Sequence, residues 1–271
     1  MPRMTSADST LGLVVRAARV PVDWLAGWGR IVWFGAILAV LALSPSSWHA
    51  RTRVALARHA YLDTAPILAG FTILSALLTL VITRIVVVTA QSYGLSQYAL
   101  EMVIRVLVLE LIPLGAALVV ALRCTIPNGA ALTTMRRRGR FDELRREGRD
   151  PLVAEALPRM MAGIFSTITL AALSSVVGMV VAYLAVYGFN EAGLPAYGRV
   201  FGRVFDGTIS LIFLLKTVFF SLAVSVIPLV SGLLDVPRTG TSREGAALQG
   251  LVRMFAVLLL LEALSLVGNY Y

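Results

Sequence analysis

The chain alternates long apolar runs with short polar segments, and the runs have the length of membrane-crossing helices. A helix that spans lipid needs roughly 17 to 25 mostly apolar residues. Because backbone groups in lipid must be hydrogen-bonded within the segment, and the runs are too long for strands, each is predicted as an α-helix. Five strong runs meet the length: Ala65 to Thr89, Tyr98 to Arg123, Met160 to Val186, Gly207 to Gly232 and Leu251 to Val267.

A weaker apolar run, Trp24 to Leu43, precedes these five and is interrupted by Arg30. Tryptophans recur along it at helical spacing, at Trp24, Trp28 and Trp33. Such a pattern is typical of an amphipathic helix lying in the membrane interface. We therefore predict a cytoplasmic tail and interfacial helix within residues 1–60 and a five-span domain over 61–271. A tilted membrane-crossing helix is the alternative for the first run.

Composition supports an all-α integral membrane protein. Of the 271 residues, 58% are hydrophobic and only 14% are charged, and the mean hydropathy is +0.82. A soluble domain would need a more polar surface. The single cysteine, Cys124, excludes an internal disulfide, and no Cys/His cluster has metal-site spacing. We expect neither a metal nor a cofactor in this chain.

The net charge of +9 comes from arginines that crowd the ends of the predicted spans. Eight lie between Thr125 and Arg159, whereas the predicted outer loops hold only Arg199 and Arg203. This asymmetry indicates an inside N-terminus, an outside C-terminus and no nucleic-acid groove. The arginine-rich stretch predicts a charged helix at about 128–148, interpreted either as a solvated loop near anionic headgroups or as a docking helix for a cytoplasmic partner.

Ionisable side chains inside a span cost roughly 2.5 to 3.5 kcal/mol each, so they normally face a partner or a wet cavity. Glu101 and Arg105 are four residues apart and are predicted to pair, with Arg84 at a similar depth. Glu110 lies about 18 Å, and Lys216 about 14 Å, from the outer ends of their spans. We predict that these two meet on the wall of a cavity; a buried ion pair that only fixes helix register is the alternative.

These residues resemble the MlaE/YrbE-type permeases of lipid-transporting ABC systems that work with MCE proteins, from about Tyr61 onward. The second span of that family carries Arg-Glu-Leu-Gly-Pro; the segment "LELIP", Leu109 to Pro113, matches its Glu, Leu and Pro and departs at the Arg and Gly. Tyr93 matches a tyrosine that lines the family's lipid site. Other likenesses in identity and spacing are Arg123, Asp150, Pro158, Arg159, Lys216, Gly232 and Pro237.

The resemblance implies an MlaE-like permease fold in the bacterial inner (cytoplasmic) membrane, formed by a homodimer with a lipid cavity at its interface. It also implies an MCE-domain partner, membrane phospholipid as cargo, and ABC ATPase subunits that grip the helix between the second and third spans. ATP and Mg²⁺ would bind on the ATPase, since this chain has no GxxxxGK[ST] loop.

From the residues and the resemblance together we predict two sites and no catalytic residues. The predicted lipid pathway is Tyr93, Glu110, Lys216, Arg84 and Arg105, and the predicted ATPase-coupling residues are Met135, Arg138, Arg140, Phe141, Leu144 and Arg145. The family carries Glu-Gln where this chain has Gly139-Arg140, which implies either an ATPase with a different, more acidic groove or weak coupling. The rival functions are a non-transporting membrane scaffold that recruits a soluble protein, and a lipid-modifying enzyme that uses Glu110.

Overall fold

The computed structural model describes residues 26–234 and 243–270, and every regular element within them is helical. The helices are α1 (Ala26–Leu43), α2 (Ala50–Ser92), α3 (96–137), α4 (Arg140–Arg146), α5 (Leu152–Tyr187), α6 (Leu194–Val204), α7 (Gly207–Leu234) and α8 (Arg243–Tyr270). By length and apolar composition, α1, α2, α3, α5, α7 and α8 are able to cross a membrane. The predicted all-α membrane fold, with an apolar N-terminal helix ahead of five others, is confirmed.

Helix α1 packs one face against the bundle and exposes the other. Ile31 and Leu38 are buried in the core, whereas the side chain of Trp33 is 71% exposed. This one-sided burial fits both an interfacial helix and a crossing helix at the edge of the bundle, so the interfacial placement stays a prediction. The predicted tail, Trp24 and Pro237 lie outside the described residues.

Two of the helices extend well beyond the lipid-crossing runs predicted from the sequence. Helix α2 has 43 residues, or about 64 Å at 1.5 Å per residue, against roughly 30 Å of hydrocarbon. It begins fifteen residues before Ala65, the predicted start of the span. Helix α3 likewise continues past Arg123 to Arg137. The ends of α2 and α3 that carry Arg51, Arg58 and the arginines after Thr125 therefore project from the membrane, and this surface is called the arginine-rich face.

Helix α3 is not a regular α-helix throughout. It contains π-helical segments at Ile104–Leu111 and Ala121–Thr125. Pro113 and Pro127 stand in the first turns of the α-helical segments that follow. A proline lacks the N–H that would bind the carbonyl four residues earlier, so the helix loses its regular hydrogen bonding at these points.

The charged helix predicted over about 128–148 is divided in two. Arg137 ends α3, and Gly139 then takes a φ of +76°, a left-handed conformation that glycine adopts without a Cβ clash. The second part is the seven-residue helix α4. The sequence pattern missed this division because the run of arginines on either side of Gly139 has good helix propensity.

Small polar side chains hold α2 against α5. The hydroxyls of Thr64 and Ser166 are 2.7 Å apart, and those of Thr72 and Ser174 are 3.4 Å apart. Ser166 donates its own proton to the carbonyl of Ala162 at 2.8 Å, so its oxygen accepts from Thr64. Small residues let helices approach closely in lipid, where hydrophobic burial gives little preference between protein and acyl chains.

Glycines bring α3 and α7 into backbone contact near the arginine-rich face. A Cβ placed on Gly129 would lie 2.5 Å from the carbonyl oxygen of Pro228, and one placed on Gly232 would meet the backbone of Gly129. Thr133 uses this proximity to donate a hydrogen bond to the Gly232 carbonyl at 2.5 Å. Close backbone packing and this hydrogen bond thus hold α3 and α7 together near Gly129 and Gly232.

Candidate functional site

The lysine of α7 is the centre of a buried charge cluster that joins three helices. Lys216 Nζ contacts Glu110 Oε2 of α3 and lies 2.8 Å from Glu262 Oε2 of α8. The side chains of Lys216, Glu110 and Glu262 are 2%, 7% and 15% exposed. Such groups are stable in an apolar bundle only because each charge has a partner.

The irregular backbone of α3 supplies a further ligand for the lysine. Pro113 has no N–H to donate to the carbonyl of Leu109, four residues earlier. Lys216 Nζ donates to that carbonyl at 3.3 Å. The ring of Phe220, one helical turn along α7, lies 5.5 Å from the ammonium and adds a cation–π contact. Lys216 therefore binds two groups of the segment "LELIP": the carboxylate of Glu110 and the Leu109 carbonyl to which Pro113 cannot donate.

The predicted meeting of Glu110 and Lys216 is confirmed. The two side chains are enclosed by their own chain, so their expected place on the wall of a cavity stays a prediction for the assembled transporter. Glu262 was not among the predicted site residues, although it lies inside the predicted span Leu251 to Val267. Glu262 lies five residues, or about 7.5 Å, from Val267, the predicted end of that span. In the structure the helix continues to Tyr270, which places Glu262 about 12 Å from its end and close to the depth of Lys216.

The cluster holds two carboxylates and one ammonium, so the two acids share one lysine. The Glu262 carboxylate keeps lone pairs that can accept hydrogen bonds from water or from another polar group. Glu262 is the most exposed of the three side chains, at 15%. An incoming polar group would therefore reach the cluster from the α8 side first.

The other predicted lipid-pathway residues lie apart from this cluster. Arg105 pairs with Glu101 at 3.2 Å, as predicted for residues four apart. Arg84 is exposed on α2 and forms no salt bridge with that pair within the described residues. Tyr93 follows the last residue of α2, with 76% of its surface exposed. The structure thus brings together two of the five predicted residues.

The predicted coupling residues divide into a buried and an exposed set. Phe141 and Leu144 are buried, 6% and 0% exposed, and anchor α4 on the chain itself. Met135 is half-buried and accepts a weak hydrogen bond from Arg159 at 3.9 Å. The arginines that remain accessible are Arg138, Arg140 and Arg145. Arg140 bonds Glu143 at 3.0 Å, and this hydrogen bond raises the pKa of its guanidinium.

The projecting end of α3 is hydrogen-bonded to its neighbours on both sides. Asn128 donates to the carboxylate of Asp63 in α2 at 3.0 Å. Cys124 donates to the carbonyl of Asp63 at 3.2 Å, and Arg136 donates to the carbonyl of Leu233 in α7. A displacement applied to α4 would therefore reach α2 and α7 through α3.

Comparison with known protein families shows to which family the chain belongs. The family model described as Permease MlaE matches residues 56–267. No curated protein sequence matches the chain. The matched range contains most of α2, all of α3 to α7, most of α8, and the three charged residues around Lys216. Because the match covers well over half of the sequence, the chain belongs to the MlaE permease family.

Proposed function

We propose that the chain moves phospholipid or a similar amphiphile between the inner membrane and an MCE-type partner, as a homodimer driven by a separate ATPase. Membership in the MlaE permease family makes it a multi-pass membrane permease subunit of an ABC-type transporter. The cargo, the MCE partner and the ATPase are the proposed parts. The arginine distribution supports an inside N-terminus and an outside C-terminus.

The observation that carries the proposal is the charge cluster around Lys216. Three ionisable groups in the apolar part of a bundle are costly to insert, and such groups usually mark a pathway for polar substrates. Their chemistry suits a zwitterionic headgroup, since the ammonium can bind phosphate and the carboxylates can bind an amine. The π-helical segment Ile104–Leu111 beside the cluster supports local rearrangement of the backbone around Glu110.

The short helix α4 is the proposed contact for the ATPase. Its buried side chains, Phe141 and Leu144, fix it to the chain, while Arg140 and Arg145 face outward. Exposed arginines suit a groove with acidic residues. Closure of the ATPase on ATP would push α4, and the hydrogen bonds of α3 would carry that movement toward the cluster.

A membrane scaffold is the second candidate, and one observation favours it. Lys216 is only 4% exposed as a whole residue and already has acceptors on Glu110, Glu262 and Leu109. A buried lysine whose acceptors all come from its own chain is also expected if the cluster serves only to fix the register of the helices. Under this interpretation lipid movement would not depend on the cluster, provided that the helices still assemble.

The experiment that tests the proposed function is affinity purification of the tagged chain in mild detergent. Mass spectrometry then identifies both the co-purifying proteins and the bound lipid. We expect an ABC ATPase and an MCE-domain protein, with two copies of the permease and attached phospholipid. Recovery of the chain alone, or with an unrelated soluble protein, would contradict the transport proposal and favour the scaffold.

A further inference from the structure

We propose that a cleft on the arginine-rich face binds the phosphate ester of a phospholipid headgroup, at a site separate from the Lys216 cluster. The cleft has a volume of about 660 Å³ and lies between the first turns of α2 and the start of α5. Its charged lining consists of Arg51, Arg58, Arg149, Arg159 and Glu155. With His59 neutral, four cations against one anion leave the cleft strongly positive.

The acidic residue of the cleft is already neutralised. Glu155 pairs with Arg159 at 2.5 Å, and Arg149 lies 3.5 Å from Glu147. Arg51 and Arg58 are exposed and form no salt bridge within the described residues. They are seven positions apart on α2, which places them on the same face of the helix. Guanidinium groups arranged in this way offer paired N–H donors to phosphate oxygens.

The position of the cleft favours a lipid over a soluble phosphate. Val54 and Leu62 line it and are 70% and 51% exposed, so apolar surface stands beside the cations. Arg58 precedes Ala65, the predicted start of the lipid-crossing part of α2, by seven residues. That distance is about 10 Å along the helix, whereas the headgroup region is roughly 5 to 7.5 Å thick on each side of the hydrocarbon, so Arg58 lies at its outer edge. A headgroup would meet Arg58 while its glycerol and first acyl carbons cover Leu62, which lies between Arg58 and Ala65 on α2.

Occupation of the cleft would link the two parts of the molecule that form it. Arg51 and Arg58 belong to α2, whereas Arg149 lies three residues after the end of α4 and Arg159 lies in α5. The Nε of Arg159 is buried and has no hydrogen-bond partner in the described structure, although the same guanidinium bonds Glu155. A bound phosphate would hold the end of α4 against α2 and so restrict the movement of α4.

The test measures lipid binding by native mass spectrometry on the purified full-length chain in nonionic detergent, without ATP or partner proteins. The probes are dioleoyl phosphatidylglycerol, dioleoyl phosphatidylcholine and glycerol 3-phosphate. We expect R51Q/R58Q to weaken phosphatidylglycerol binding by about tenfold. The control R53Q/R137Q removes the same charge from exposed arginines outside the cleft, and we expect it to change binding by less than about twofold.

Two further results decide the source of the phosphate and guard against misfolding. R51K/R58K keeps the charge but not the paired donors, so it should lose less binding than R51Q/R58Q, which would separate loss of a site from loss of fold. Competition by glycerol 3-phosphate at concentrations similar to those of the lipid would overturn the lipid assignment in favour of a soluble phosphate ester. Equal weakening of phosphatidylglycerol binding by R51Q/R58Q and R53Q/R137Q would contradict the proposal that the cleft is the binding site. Since no transport is measured, failure here is distinguishable from failure of the proposed function.

Discussion

Lys216 donates a hydrogen bond to the backbone carbonyl of Leu109, 107 residues away in the sequence, at 3.3 Å. That carbonyl is the one to which Pro113 would donate if it carried an N–H. The lysine thus satisfies a backbone acceptor that the proline cannot, while its charge is held by Glu110 and Glu262. One side chain couples the irregular part of α3 to α7 and α8.

Removal of the ammonium alone should destabilise the protein strongly. In K216M, Glu110 and Glu262 would remain buried without their cation, and breaking a buried pair in this way costs about 3–5 kcal/mol. The measurement is the thermal unfolding midpoint in a fixed detergent. E262Q, which leaves Lys216 its contact with Glu110, should cost less. A midpoint for K216M equal to that of the unchanged chain would show that the cluster contributes no stability.

The backbone contact between α3 and α7 predicts a difference between two alanine substitutions. In G129A the new Cβ would lie 2.5 Å from the Pro228 carbonyl oxygen, and overpacking of this kind costs about 1–3 kcal/mol. A Cβ added to Gly70 in α2 would meet no neighbouring atom within 4 Å, so G70A is the matched control and should be neutral or stabilising by about 0.5–1 kcal/mol. Equal midpoints for the two variants would contradict the close approach.

The hydroxyl pair between α2 and α5 should be measurable in a double-mutant cycle. Thr64 donates to Ser166, and interhelical bonds of this type average about 0.6 kcal/mol in membrane proteins. We expect T64V and S166A to show a coupling energy of about that size. The longer contact of Thr72 with Ser174, at 3.4 Å, should give less. A larger coupling energy for Thr72 with Ser174 than for Thr64 with Ser166 would contradict the conclusion that Thr64 and Ser166 form the stronger hydrogen bond.

The two faces of α4 predict different kinds of defect. Arg145 is exposed, so R145E should leave the fold intact and weaken association with the proposed ATPase about tenfold. Leu144 is fully buried, so L144D should reduce the yield of folded permease before any ATPase is added. Size-exclusion chromatography with and without the ATPase separates the two effects. Normal ATPase binding by R145E would exclude the exposed face of α4 as the contact.

Much of the fold was predictable from the spacing of apolar residues, and part of the candidate site from depth counting. The meeting of Glu110 with Lys216 followed from similar depth, whereas Glu262 reaches that depth only because α8 extends beyond Val267, the predicted end of the last span, to Tyr270. The division at Gly139 depends on the φ angle of a single residue within a strongly helical composition. The arginine-lined cleft joins α2 to residues about 100 positions later, and no local pattern carries that contact.

The central claim, that the permease moves lipid along a path involving the Lys216 cluster, is tested most directly by transport in proteoliposomes. The permease would be reconstituted with its co-purified ATPase and MCE-type partner, and ATP-dependent movement of labelled phospholipid measured. E110Q/K216M removes both charges of the pair and leaves only Glu262 without its cation, whereas K216M leaves two carboxylates, so the double variant should fold and assemble better than K216M. We expect E110Q/K216M to assemble and bind ATPase but to transport lipid at less than about a tenth of the normal rate. Transport at the normal rate by that assembled variant would contradict the account.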